Sequence, residues 1–317
     1  MIDLAAVESL VAVDRCGSVG GAAAQLGFTP SAVSQQVKRL ERQVGATLLE
    51  RAGRGVVLTA AGRRLVEEGL VLGEQVERLR SRLQGDEGRA AGLLRLAAFS
   101  TAVRGVVPAM LAVLRTSAPE LDLVVREVEP WDAVAEVAAG ATDVAVVHRW
   151  EGMRFHVPPS LRGEPVLTDV ADLLVHREDP LASRADVEPS DLLDHVWASS
   201  PEGTICHEWF GHMFRASERA PRVAYRCVEF ASQVELVTHG LAVALVPRLG
   251  RGRLPDDVVA VPVRRPEPTR RVDVHWRASM TAAPAVAAVR DALRQAGAAA
   301  SSTGSSTAGS PNPSTRR

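Results

Sequence analysis

Cysteine is scarce, long apolar runs are absent, and net charge is almost nil. The 317 residues hold three cysteines, Cys16, Cys206 and Cys227, an odd number with no framework spacing. That excludes a disulfide-stapled secreted fold and leads to the expectation of a reducing, cytoplasmic setting. No charged-then-apolar leader opens the sequence, and no apolar stretch approaches the roughly 18 residues that a membrane span needs. Catalytic signatures are missing too: no phosphate loop, nucleophile elbow or dinucleotide fingerprint stands out. His207 and His212 superficially suggest a zinc-protease helix, but they lie five apart, about 140° around a helix, where one ion needs two ligands on one face. Cys206 and Cys227 have no dense cationic surroundings to lower a thiol pKa, so both read as structural cysteines. The expectation is a protein without catalytic residues, metal ligands or cofactor, and not an enzyme.

What is present suits a globular chain of two or three domains, with 46% hydrophobic and 24% charged residues. The net charge of −1 hides a local asymmetry. Between Pro30 and Arg64 lie Lys38, Arg39, Arg42, Arg51, Arg54, Arg63 and Arg64, against only Glu41 and Glu50. One basic module on a neutral chain fits DNA contact by that module and other work by the rest.

Leu4, Val7, Leu10 and Val11 have helical spacing. Ser18 is a natural N-cap for a second helix whose Ala22, Ala23 and Leu26 form an inner face, and Gly27 and Pro30 supply the turn into a third. At about 100° per residue, Ser31, Ser34, Gln35, Lys38 and Arg42 share one face of that third helix, while Val33, Val37, Leu40 and Val44 share the opposite one. An aliphatic back and a front of hydroxyls, amide and cations is the chemistry of a recognition helix in a major groove. Leu48–Leu49 and Val56–Leu58 then read as two short strands around Gly53-Arg54-Gly55, a wing with Arg54 at its tip.

In register, Gly17-Ser18, Ala22-Ala23, Leu26, Ser31, Ser34, Leu40-Glu41, Gly45, Leu48, Arg51, Leu58-Thr59 and Gly62 resemble the winged helix-turn-helix of LysR-type transcriptional regulators. The chain departs from that pattern at Val7 and at Leu48-Leu49, where the family carries aromatic residues, and at Val19. Gly20 and Gly21 lie in the first turn of the second helix, each costing up to about 1 kcal/mol relative to alanine. The resemblance implies double-stranded DNA as partner, with Ser31, Ser34, Gln35 and Lys38 in the major groove and Arg42, Arg51 and Arg54 on the backbone.

Thr59 reads as the cap of a long helix to about Leu83. Leu65, Leu72 and Leu79 are seven apart, as are Gly69, Val76 and Leu83, a heptad seam weakest at Gly69. Its dimeric use is what the resemblance implies: a homodimer or homotetramer on a two-fold related promoter site, with RNA polymerase a further partner open to it and no membrane partner. Gly85, Asp86 and Gly88 read as a hinge.

From Gly92 strands and helices alternate in a βαβαβ order, which predicts a parallel α/β sheet, and a second such set follows. Gly92–Leu96, Gly140 with Asp143–Val146, Asp179–Ala182 and Val237–Pro247 resemble, in order, the two-lobed effector-binding domain of the same family, itself like periplasmic solute-binding proteins. Ligands in such sheets bind beyond strand carboxyl ends, near helix N-termini. That names Ser100, Thr101, Trp131, His148, Thr204 and Phe230 as effector contacts and a small molecule, best an anion, as effector.

The reading is thus multidomain: an N-terminal all-α winged helix-turn-helix with a long linker helix, then a two-lobed α/β effector-binding domain. Expected boundaries are 1–58 for the DNA-binding domain, 59–88 for the linker helix and hinge, and 89–297 for the effector domain. Lobe I would comprise 89–165 and 269–297, lobe II 166–268, with 298–317 a solvated tail. The expected function is sequence-specific transcriptional regulation tuned by a small effector. Alternatives are a constitutive DNA-binding dimer with a vestigial pocket and a cytoplasmic solute-binding α/β protein.

Overall fold

Helix boundaries in the first unit, Met1–Glu87, follow the capping residues. In the computed structural model, which describes residues 2–53 and 55–304, helix α1 (Leu4–Cys16) starts at Asp3, whose carboxylate accepts the Ala5 N–H at 3.0 Å. Helix α2 (Val19–Leu26) starts at Ser18, whose hydroxyl accepts the Gly21 N–H at 3.1 Å. Gly27, at φ 70°, ends it in a left-handed turn that a side chain would strain. Helix α3 (Pro30–Val44) begins on Pro30 with Thr29 capping the Ala32 N–H at 3.2 Å. Arg54 and the segment 305–317 lie outside the described residues.

The three helices, with the wing and the start of the next helix, bury an apolar interior in two clusters. Ala6, Val7, Leu10, Val37, Leu40, Leu48, Leu58 and Val66 form its larger part, with Ala12, Val13, Ala22, Ala23 and Val33 beside it. Leu4, which shares the helical spacing of Val7, Leu10 and Val11, is exposed; the buried stripe of α1 runs through Ala6, Val7, Leu10 and Val13. Strands β1 (Leu49–Ala52) and β2 (Gly55–Leu58) pair antiparallel as the wing, with Arg51 opposite Val56. Glu41 ties the wing to α3, its carboxylate accepting the Leu48 N–H at 2.8 Å and the Leu49 N–H at 3.3 Å.

Helix α4 (Ala60–Glu87) begins where Thr59 accepts the Gly62 N–H at 3.0 Å. It runs through Gly85 and Asp86, which the sequence suggested as a hinge, and stops only before Gly88 at φ 65°. One glycine costs about 1 kcal/mol, too little to break a helix already propagated over many turns. Gly69, read above as a weak point in the seam, permits close approach: a Cβ there would lie 2.5 Å from Val7 Cγ1 of α1.

The second unit, Gly88–Arg317, holds two sheets threaded by one strand. In the first lobe β3 (Gly92–Ala98), β4 (Leu121–Glu127) and β5 (Val144–Trp150) are parallel in the order β4-β3-β5. Helices α5 (Ser100–Gly105), α6 (Val107–Ser117) and α7 (Pro130–Ala138) connect them. Strand β6 (Leu161–His176) is the crossover. Its residues 161–170 pair with β11 (Thr269–Arg277) in the first lobe, and from Ala171 it enters the second. The crossing therefore falls later than the expected 165/166 boundary. The second lobe orders as β10-β6-β9-β7-β8, where β7 is Val196–Ser199, β8 Arg222–Arg226, β9 Val243–Pro247 and β10 Val258–Pro262. Helices α8 (Ile205–Met213) and α9 (Phe230–Thr238) cover it. Strand β11 returns the chain to the first lobe, where α10 (Pro284–Gly304) packs Val286, Val289 and Leu293 against Val107, Met110 and Leu114. Residues 298–304, expected as solvated tail, continue this helix. Ala298, Ala299 and Ala300 are strong helix formers, and the Ser301 hydroxyl donates to Gly297 O at 2.9 Å.

Candidate DNA-reading surface and effector cleft

The polar front of α3 is available and its apolar back is not. Ser31, Gln35, Lys38 and Arg42 are exposed and Ser34 half-buried, while Val33, Val37 and Leu40 are buried. Ser31 and Thr29 share a hydroxyl–hydroxyl hydrogen bond of 3.0 Å, which holds the first turn. Arg42 Nε donates to Lys38 O at 3.4 Å, laying that guanidinium back along the helix. Arg51 is exposed on the wing strand. Five of the seven proposed DNA contacts thus share one surface of α3, and Arg51 belongs to the same unit.

The effector candidates divide. Phe99 precedes α5 without a side-chain cap, so Ser100 and Thr101 are its first helical residues rather than caps. Thr101 and His148 are both buried, and each is under the influence of Arg270. Thr101 is 1% exposed, and its hydroxyl accepts a hydrogen bond of 2.7 Å from Arg270 Nη2. Arg270 also donates from Nε and Nη2 to Asp169 Oδ2, at 2.9 and 2.7 Å. Asp169 Oδ1 accepts the Leu249 N–H at 3.0 Å. This ion pair is 1% and 5% exposed, as enclosed as a core leucine. The rings of Phe99 and Trp150 flank the guanidinium at 5.2 and 5.4 Å.

Phe99 and His148 meet edge to face at 4.5 Å, and Trp150 stacks on Trp209 of the second lobe at 4.8 Å. Trp131 contacts Phe155 at 5.1 Å, both against the second lobe's apolar cluster. Thr204 does what a hydroxyl at a helix start commonly does. It accepts the His207 N–H at 3.2 Å and donates to Pro201 O at 2.8 Å. Phe230 lines a small cavity of about 20 Å³ with Ser199, Ser200, Cys206, Gln233 and Trp150. That space admits one water-sized group, so any larger occupant requires the lobes to move.

Buried electrostatics follow from this enclosure. Burial first, and the Arg270 charge second, push the His148 pKa well below 6.5. Burial raises Glu129, against the pull of the Ile205 N–H at the start of α8. Burial likewise pushes the Cys206 thiol up to about 11. His148 is therefore neutral when folded and takes up a proton near 6.5 when unfolded. Its contribution to stability is complete above that pH and declines as pH falls below it. The expected slope difference between wild type and His148→Phe, in urea titrations at pH 8 and 5.5, is up to about 1.4 kcal/mol per pH unit. Parallel pH profiles for the two proteins would contradict a neutral buried imidazole.

Residues 87–298 match the protein-family model "LysR substrate binding domain", and residues 4–63 match "Bacterial regulatory helix-turn-helix protein, lysR family". The chain belongs to the LysR family. It is a LysR-type DNA-binding transcriptional regulator with an effector-binding domain. It is similar to "Probable HTH-type transcriptional regulator LrrA" of Synechococcus elongatus, with 26% identity covering 93% of this chain and 97% of that one. A "Hydrogen peroxide-inducible genes activator" of Pectobacterium carotovorum is 25% identical over 86% of this chain and 89% of its own. Full-length OxyR from Pseudomonas aeruginosa shares the fold at a TM-score of 0.68 and 21% identity, covering 93% and 98% of the two chains.

In this LysR-type regulator the residues that sequence reasoning missed are Arg270, Asp169 and Trp150. A signal existed. Arg270 alternates with Val272, Val274 and Trp276, so an arginine occupies a position on an otherwise apolar face of the strand. A charge on a buried strand demands a partner elsewhere in the chain. Among the described residues, no group of three or more His, Cys, Asp or Glu side chains is arranged to hold a metal ion, and all three cysteines are free thiols.

Proposed function

We propose that this regulator reads DNA through Ser31, Ser34, Gln35 and Lys38, with Arg42, Arg51 and Arg54 on the phosphates, and that a small anionic effector between the lobes tunes that reading. The observation that carries the DNA half is the exposed polar front of α3 set against its buried Val33–Val37–Leu40 back. Dimerisation through α4 is part of the reading. Leu72, Leu79 and Leu83 are 40%, 58% and 59% exposed, a row of leucines that a second copy would cover. Two copies would place two recognition helices about 34 Å apart on a two-fold related site.

The name of the Pectobacterium relative concerns hydrogen peroxide, whereas the buried Cys206 thiol of this chain is ill suited to react with it. A thiol raised to about 11 is a poor nucleophile at neutral pH, which favours ligand binding as the input. Lys38 is the chain's one lysine, so acetylation tests the reading face directly. DNA from upstream of the protein's own gene should protect Lys38 from acetic anhydride, and prior acetylation should abolish specific binding. Full Lys38 reactivity in the DNA complex would sink the assignment.

A further inference from the structure

Two polar atoms in the seam between the lobes, Arg270 Nη1 and His148 Nδ1, are buried without a hydrogen-bond partner, and a third, Trp150 Nε1, has only the Cys206 sulfur, a weak acceptor, beside it. They belong together by register. His148 and Trp150 are two apart on β5 and so share a face, and antiparallel pairing sets Arg270 opposite Trp150 and Val272 opposite His148. The rings of His148 and Trp150 are 5.9 Å apart, and the guanidinium lies 5.4 Å from the Trp150 ring. Arg270 itself is wholly buried, and His148 and Trp150 are each 3% exposed.

The rest of the guanidinium is spoken for. Asp169 takes Nε and Nη2, and Thr101 takes Nη2. Those contacts fix the plane of the fork and leave the Nη1 edge as the spare donor. Trp150 Nε1 can only donate, while a neutral His148 can donate or accept at Nδ1. Two obligate donors, one of them cationic, with a third group able to serve either way, demand an acceptor-rich occupant. With Nε and both Nη2 hydrogens engaged, the two hydrogens of Nη1 remain for an acceptor oxygen, and a charge-assisted bond there favours an oxyanion. The adjoining cavity of about 20 Å³, which Trp150 and Cys206 line, admits one water-sized group as it stands, so the anion enters as the lobes part.

We infer that Arg270, Trp150 and His148 form the seat for a compact monovalent oxyanion of carboxylate or carbonate type, with Asp169 and Thr101 as positioning residues that aim the arginine. The inference rests on the reading of the inter-lobe seam as the effector site and names the chemistry that site takes. It also moves the seat away from Thr204, whose hydroxyl is engaged at its own helix start, to residues with hydrogen-bonding capacity left over.

Formate, bicarbonate and acetate are the probes for the head group alone, with benzoate as a larger carboxylate and chloride at matched ionic strength as control. Thermal melting and tryptophan fluorescence of the full-length protein report binding, because Trp150 is itself in the seat. Oxyanions should raise the melting temperature with saturation and alter the fluorescence, and chloride should do neither. Trp150→Phe keeps the ring, loses the N–H, and should weaken binding about tenfold. Arg270→Lys should abolish it, and Trp150→Phe decides the matter should Arg270→Lys not fold.

Stabilisation by benzoate but not by formate would assign the seat to the carboxylate of a larger metabolite, and the reverse to a free small anion. Equal effects of chloride, no effect of any oxyanion, or binding indifferent to both substitutions would overturn the inference. DNA binding measured in parallel separates the two levels. Anion binding without change in DNA affinity leaves the seat standing and removes its regulatory role. A ligand that changes DNA affinity but ignores Trp150→Phe and Arg270→Lys leaves the regulation standing and removes the seat.

Discussion

Replacing Asp169 with alanine should destabilise the second unit by about 3–5 kcal/mol, because it strands a buried guanidinium without its counter-charge. Asp169 bonds Arg270 from the stretch of β6 that pairs with β11 and fixes the Leu249 N–H through its other oxygen. Removing it breaks an ion pair and orphans a backbone donor from the second lobe together. At this size each kcal/mol shifts melting by a few degrees, so a fall of roughly 10 °C is expected. Adding Arg270→Met in the same chain should recover much of the loss, since an apolar pair of similar volume is commonly neutral or better where a buried ion pair stood. The double variant then separates structure from function. It should fold well yet lose oxyanion binding, which a merely structural ion pair would not entail. An Asp169→Ala protein that melts within a degree or two of wild type would mean that Arg270 finds water on its own.

The DNA-binding unit was legible because its signals are local. Ser18, Gly27, Thr29 and Pro30 mark helix ends within a few residues of the groups they cap, and the two faces of α3 follow from a single period. The order of strands and helices beyond Gly92 was legible for the same reason. The first half of β6 was not, because Gly163 and Pro165 interrupt it as a loop would. There the pairing of β6 with β11 shifts register between Val272 and Asp273, which lets the strand absorb Pro165 opposite Asp273.

The heart of the cleft escaped for a different reason. Thr101, Asp169 and Arg270 are separated by up to 169 positions in the chain, and nothing in the spacing of any one of them points at the others. Hydroxyls at strand ends drew attention as free ligand contacts, yet the Thr101 hydroxyl is engaged by Arg270 and Thr204 by its own helix. Side-chain chemistry can be read from sequence, whereas the capacity left after folding cannot, and binding depends on the latter.

Loss of sequence discrimination is the expected result of Gln35→Ala. An amide on a recognition helix that makes a bidentate contact to a base contributes roughly 1–3 kcal/mol of discrimination. In a two-fold dimer both half-sites lose it together, so specific affinity should fall by roughly 30-fold to 20,000-fold while binding to random DNA hardly changes. Lys38→Ala should weaken specific binding as well. Arg51→Ala, a wing cation acting on phosphate, should weaken specific and random DNA alike and reduce the salt dependence by about one counterion per half-site. The buried backs of these positions, Val33, Val37 and Leu40, supply the control, because the three substitutions leave the packing of α3 untouched and should not move melting of the first unit by more than about 0.5 kcal/mol. Quantitative gel shifts across a salt series, on the native upstream sequence and a scrambled one, read all of these effects. Equal losses on both sequences from Gln35→Ala would place the amide on the backbone instead of a base. The distinction matters for the coupled machine, since an effector-driven change in the spacing of two helices can switch a promoter only if those helices carry the sequence information.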